Sequence, residues 1–195
     1  MKLARNSYAW ISVPFFLTAV LAAAGSWYIS AIALVGFFFM LFFHRDPDRL
    51  PHGEGMVSPA DGRVIQASEG LVVVFMGPSD VHVNRAPMDG TVQKTEYKKG
   101  GHLPAFLCQA SSNQQNRITL KTDDGNVEIR QITGTIVREI ICYVRPGDRV
   151  VRGERIGMIR FGSRVEVTIP RSYSLQVLLG DKVRAGETVI AVRRR

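Results

Sequence analysis

Cysteine is too scarce for a disulfide framework: there are two, Cys108 and Cys142, and neither sits in a Cys-x-x-Cys pair, which excludes a zinc ribbon and a thioredoxin-like redox site. His-Glu-x-x-His, Gly-x-Ser-x-Gly and Gly-x-x-x-x-Gly-Lys are all missing, so the standard zinc-peptidase, hydrolase and phosphate-loop signatures are absent. The four histidines, His44, His52, His82 and His102, form no metal-ligand cluster, and no metal is expected. Charge is absent from one long stretch: 34 residues from Trp10 to Phe43 contain no Asp, Glu, Lys, Arg or His. All 17 acidic residues follow it.

What is present is a 195-residue chain, 46% hydrophobic and 22% charged, with a formal net charge of +8. That composition excludes a disordered or collagen-like chain and suits one folded unit plus an extra segment. The uncharged run is the extra. It is far longer than the roughly 7–15 residue core of a signal peptide, which makes it a membrane segment. As one helix it would overshoot the ~30 Å hydrocarbon layer, whereas two halves of about 17 residues would each just span it. A hairpin is therefore expected over residues 1–43, bent at Gly25-Ser26 ahead of Trp27 and Tyr28, which favour the interface, with a single tilted span or a hairpin buried in a larger assembly as the alternative. Lys2 and Arg5 precede the run and His44, Arg45 and Arg49 follow it, so the positive-inside rule places both ends, and the domain beyond, on the cytoplasmic side of the cell (inner) membrane.

Residues 44–56 are polar and punctuated by proline, and read as a linker; from residue 57 to 195 short Val/Ile-rich runs alternate with Gly/Pro/Asp turns. Strands are expected at Leu71–Met76, Asn116–Lys121, Val127–Ile132, Thr135–Val137 and Val165–Ile169, with little helix beyond the membrane segment. Two repeats lie 33 residues apart: Val144-Arg-Pro-Gly-Asp-Arg-Val-Val-Arg-Gly-Glu-Arg-Ile-Gly-Met-Ile159 and Val177-Leu-Leu-Gly-Asp-Lys-Val-Arg-Ala-Gly-Glu-Thr-Val-Ile-Ala-Val192. Each reads as strand, turn, strand. A weaker pair is Pro59-Ala-Asp-Gly-Arg-Val64 and Pro87-Met-Asp-Gly-Thr-Val92, each with a turn-forming Asp-Gly. These units resemble the barrel-sandwich folds of biotinyl and lipoyl carriers, without a lysine at the hairpin tip. The expected fold is thus mainly β, a barrel-sandwich-like domain behind a helical hairpin.

Five motifs in order, Phe42-Phe-His-Arg-Asp-Pro-Asp-Arg49, Ser58-Pro-Ala-Asp-Gly62, Asp80-Val-His-Val-Asn-Arg-Ala-Pro87, Gly153-Glu-Arg-Ile-Gly-Met-Ile-Arg-Phe-Gly-Ser-Arg164 and Gly186-Glu-Thr-Val-Ile-Ala191, resemble the short-chain branch of the phosphatidylserine decarboxylases over nearly the whole chain. The resemblance implies a pyruvoyl-dependent enzyme whose proenzyme cuts itself between Gly162 and Ser163, leaving a β chain of residues 1–162 and an α chain of 163–195. Ser163 would become the covalent pyruvoyl cofactor, and the substrate would be phosphatidylserine or its archaeal counterpart archaetidylserine, decarboxylated to the ethanolamine lipid. The family's Asp-His-Ser arrangement carries over to Asp61, His82 and Ser163, with His82 as base or proton donor and Asp61 fixing its tautomer. Larger family members have a second His in the central motif, where this chain has Arg85, and Arg cannot act as a base at neutral pH. Arg164, in place of their Thr, is a candidate partner for the lipid phosphate, and His102 lies in a Gly/Pro loop placed to cover the pocket.

An α/β heterodimer after cleavage is implied, with higher assembly left open. The basic balance suits an anionic leaflet; no aromatic-and-basic motif accompanies it, and no nucleic-acid partner is expected. Two other classes remain open at this stage: a membrane-anchored Ser/Lys hydrolase using Ser58 and Lys94, and a non-enzymatic barrel-sandwich adaptor.

Overall fold

A computed structural model describes residues 2–137 and 139–194 of the chain. It divides into two compact units, residues 1–48 and 49–195. The division falls inside the 44–56 stretch.

The first unit is a helical hairpin, α1 (Tyr8–Ala23) and α2 (Trp27–Phe43). Gly25 takes φ +75 at the bend, a left-handed conformation that suits glycine, so the chain turns at Gly25-Ser26 as its composition implies. The open end is tied by backbone bonds, with Ala4 N–H donating to the His44 carbonyl at 2.9 Å and Asp46 N–H to that of Lys2 at 2.8 Å. Across the arms, Ser30 Oγ donates to the Thr18 carbonyl at 2.9 Å. The expectation that each arm just spans a bilayer is not met. The helices have 16 and 17 residues, about 24 and 26 Å at ~1.5 Å per residue, and no helix among the described residues is long and apolar enough to cross a membrane.

The second unit is mainly β. Its strands are β1 (Met56–Val57), β2 (Gly62–Ser68), β3 (Leu71–Met76), β4 (Val83–Arg85), β5 (Gly90–Lys98), β6 (Gln115–Thr122), β7 (Gly125–Ile132), β8 (Glu139–Cys142), β9 (Arg149–Val150), β10 (Arg155–Arg160), β11 (Ser163–Thr168), β12 (Tyr173–Leu175), β13 (Lys182–Val183) and β14 (Val189–Arg193). An eight-stranded sheet runs β13-β2-β3-β11-β7-β6-β5-β9, and two three-stranded sheets run β1-β14-β12 and β4-β10-β8. Period-two alternation explains the large sheet: Ile118 and Leu120, Val127 and Ile129, and Val165 and Val167 all turn inward to one core. One expected strand is absent, because Thr135–Val137 is a bend with Ile136 80% exposed. Three β-branched residues favour extension, but Thr135 and Ile136 are exposed and find no sheet partner among the described residues.

The repeats fold as a pseudo-twofold pair. Gly180 N–H donates to the Val64 carbonyl and Gly147 N–H to that of Val92; Val64 N–H donates to the Asp181 carbonyl and Val92 N–H to that of Asp148. Likewise Gly186 N–H donates to the Ser58 carbonyl and Gly153 N–H to that of Ala86. Each bond maps onto its mate by 33 residues in the C-terminal repeats and 28 in the Asp-Gly segments. The sequence repetition is therefore one arrangement used twice.

Candidate active site

The tight turn that carries the chain from β10, in the small β4-β10-β8 sheet, to β11 brings the Gly-Ser motif to the middle of the large sheet. Phe161 and Gly162 are consecutive left-handed residues, with φ of +56 and +52. That conformation is costly for a bulky side chain such as Phe161, so strain sits next to the Gly162–Ser163 bond. Ser163 opens β11 opposite Met76 and is fully buried. Among the described residues its Oγ has no hydrogen-bond partner. A buried hydroxyl is normally satisfied, and one left over beside a carbonyl can turn toward it.

The other side of that carbonyl is fixed by Gly134. A Cβ built on Gly134 would collide with the Gly162 oxygen, while the next side chain, Ala105, stays at ordinary contact, 3.5 Å. The hydrogen that Gly134 carries in place of a side chain thus faces the Gly162 carbonyl.

His82 lies at the start of the β4 segment. Ile159 N–H donates to its carbonyl at 3.3 Å, beside the strand that runs into the Phe161–Gly162 turn. The side chain is fully buried and its Nδ1 is 2.9 Å from the Asp80 carbonyl. A carbonyl only accepts, so this contact assigns the proton to Nδ1 and the lone pair to Nε2 in the neutral ring. Two residues on, Asn84 joins a chain of buried amides: Gln131 Nε2 donates to Asn84 Oδ1 at 2.8 Å, and Asn116 Nδ2 to Gln131 Oε1 at 2.9 Å. This chain, which sequence patterning missed, joins the His82 segment to the large sheet.

Asp61 is a buried carboxylate gripped by Arg49, through both guanidinium nitrogens, and by Ala185 N–H at 2.7 Å; Val81 N–H approaches at 3.4 Å. Its repeat-mate Asp89 accepts from Arg152 N–H, also at 2.7 Å. The backbone bond belongs to the repeated turn, and the Arg49 pair distinguishes Asp61 from its mate. Arg49 ends the Phe42–Arg49 motif, and that position was the available signal. Arg85, at the second-histidine position, is buried and donates to the Gly153 carbonyl at 2.8 Å, a clamp on the repeat turn.

Arg164 differs from the expectation of a phosphate ligand. It is buried, and it donates from Nη2 to Glu166 at 2.6 Å and from Nη1 to the Leu107 carbonyl at 2.7 Å. Glu166 in turn meets Arg130 at 3.2 Å, and Arg130 meets Glu128 at 2.9 Å, so charges alternate across β11 and β7. Arg164 therefore fastens the loop of residues 99–114 over β11. His102 is on that loop but exposed to solvent. The Ser58/Lys94 pairing is not assembled: Ser58 is buried with Oγ donating to the Ala60 carbonyl at 2.7 Å, and the exposed Lys94 pairs with Glu96 at 2.7 Å. Among the described residues no group of His, Cys, Asp and Glu could hold a metal ion.

Residues 37–191 match the profile of a family described as phosphatidylserine decarboxylase. A Methanococcoides burtonii protein named as an archaetidylserine decarboxylase proenzyme is 42% identical, the match covering 98% of this chain and 97% of the relative. Phosphatidylserine decarboxylase proenzymes of Syntrophus aciditrophicus and Thermobifida fusca are each 43% identical, over 95% and 96% of this chain and 95% and 91% of their own lengths.

Proposed function

Because the chain belongs to the phosphatidylserine decarboxylase family, and so to the carboxy-lyases, we propose that it is a proenzyme that cuts itself at Gly162–Ser163 and then decarboxylates phosphatidylserine or archaetidylserine to the ethanolamine lipid. The observation that carries this reading is the buried Ser163 Oγ beside the Gly162 carbonyl, without a hydrogen-bond partner among the described residues.

In the cut, His82 Nε2 takes the Ser163 hydroxyl proton and Oγ attacks the Gly162 carbonyl carbon. The peptide C–N bond breaks, the Ser163 nitrogen is protonated, and an ester remains. Loss of the Ser163 Cα proton then expels the Gly162 carboxylate, which becomes the end of the 1–162 chain. Water enters and ammonia leaves at the remaining alkene, so the 163–195 chain begins with a pyruvoyl group. Asp61, held by Arg49, fixes the segment through Val81 N–H, and the Asp80 carbonyl keeps His82 in the required tautomer.

The site suits the group on the same ground: a serine already buried at a strand start needs no separate cofactor pocket. Once formed, the pyruvoyl carbonyl supplies the electron sink that loss of carbon dioxide requires. His82 would then return a proton to the substrate α-carbon. For location, the apolar outer faces of the hairpin, including Val13, Phe16, Ile32 and Val35, support attachment to the inner membrane, and the flanking Lys2, Arg5, Arg45 and Arg49 support a cytoplasmic side for the β unit. Co-sedimentation of the full chain with vesicles tests that attachment.

Intact-mass analysis of purified protein tests the cut. Two chains are expected, the smaller blocked to Edman degradation, and Ser163→Ala should stay whole. Cleavage of Ser163→Ala at the same bond would overturn the mechanism, and an uncut wild-type chain without lipid turnover would favour the adaptor reading.

A further inference from the structure

The loop over the site is rigidly held, yet it turns apolar side chains outward. Asn113, fully buried, donates to the carbonyls of Leu103 at 2.7 Å and Thr133 at 2.8 Å, and its Oδ1 accepts from Leu103 N–H at 2.9 Å. Arg164 holds Leu107 from beneath, and the Phe106 ring stands edge-on to Phe75. So constrained, the loop still exposes Leu103, Leu107 and 58% of Phe106. The bend carrying Ile136 adjoins it, since Gly134 faces Ala105. Leaving four large apolar residues together in water is unfavourable, and a loop fastened at three points does not fold them inward. At its base, Lys98 and Lys99 are exposed and take part in no ion pair among the described residues. Apolar anchors beside free cations are the chemistry of a surface that sits in the headgroup region of an anionic bilayer.

We propose that Leu103, Phe106, Leu107 and Ile136, flanked by Lys98 and Lys99, form a membrane-docking face that sets the covered site directly on an anionic bilayer. This rests on the decarboxylase reading for its purpose, because a lipid headgroup must reach a residue buried beneath this loop. A second copy of the chain would also cover apolar side chains, but it would gain nothing from two unpaired lysines.

The test uses the full chain in anionic liposomes. With Cys142→Ser in place, the exposed Cys108 carries an environment-sensitive fluorophore. A control carries it at Asp123→Cys with both native cysteines replaced. The control lies at the far end of β6, whose eight residues span about 26 Å at ~3.3 Å each. Nitroxide lipids with shallow labels should quench position 108 several-fold more than position 123, and Lys98→Glu/Lys99→Glu should remove most of the difference. Equal quenching at the two positions, or protection at 108 that appears only as the protein self-associates, would overturn the proposal. Because quenching can be read on uncut Ser163→Ala protein, its outcome is independent of the chemistry. In active protein, Leu103→Asp/Ile136→Asp should lower turnover on bilayer substrate about tenfold relative to a short-chain, monomeric one; an equal loss on both would make the face merely structural and overturn its role.

Discussion

Gly134 is held to glycine by space, since its φ lies outside the left-handed region and the Gly162 carbonyl obstructs a side chain. An alanine there would push the carbonyl away from Ser163 without straining its own backbone. Gly134→Ala should therefore slow chain cutting by about 100-fold or more, the usual penalty for a misplacement near 1 Å, while melting within a few degrees of Ser163→Ala. A time course of cut fraction on a gel, beside a thermal melt, checks it; cutting at the wild-type rate would show that the carbonyl is positioned by something else. The contrast with Ser163 is instructive. A Gly-Ser inside a long motif can be read from sequence, but a lone glycine in Thr133-Gly-Thr135 looks like any bend, and its constraint comes from a residue 28 positions away. Arg164 was misjudged for the same reason: its partners, Glu166 and the Leu107 carbonyl, include one from a loop 57 residues off.

Strands with clean alternation were legible because one buried face imposes the period, and β3, β6 and β7 lie where the apolar runs place them. The repeats were legible as strand, turn, strand, though not that they pair about a common axis. Thr135–Val137 is not the strand its composition suggests, because propensity reports what a segment tolerates and not what it packs against. Contacts between elements also shift titration. Tyr173 on β12 donates to Asp124 in the β6–β7 turn at 2.9 Å, and burial first, then this hydrogen bond, raises its pKa above 10.0. The unfolded chain then loses the phenolic proton before the folded one, so this contribution is constant below about pH 10 and falls as pH rises through the raised value. Urea midpoints across that range should decline in the wild type and less steeply in Tyr173→Phe; identical slopes would remove Tyr173 as a cause.

Cutting at Gly162–Ser163 would divide the molecule through its interior. The 163–195 piece supplies β11 between β3 and β7, β13 beside β2, and β14 between β1 and β12. It also holds one of the two repeats, whose bonds to the Asp-Gly segments all cross to the larger piece. The two chains should co-elute on gel filtration under native conditions and separate only in denaturant; free release of the small chain after cutting would contradict this topology. The placement of β11 has one more consequence. A reactive carbonyl on a loose tail would sweep through solvent and meet stray amines. One carried on the first residue of an inner strand would be bolted to the scaffold, so the catalyst would stand still and the substrate would have to be brought to it.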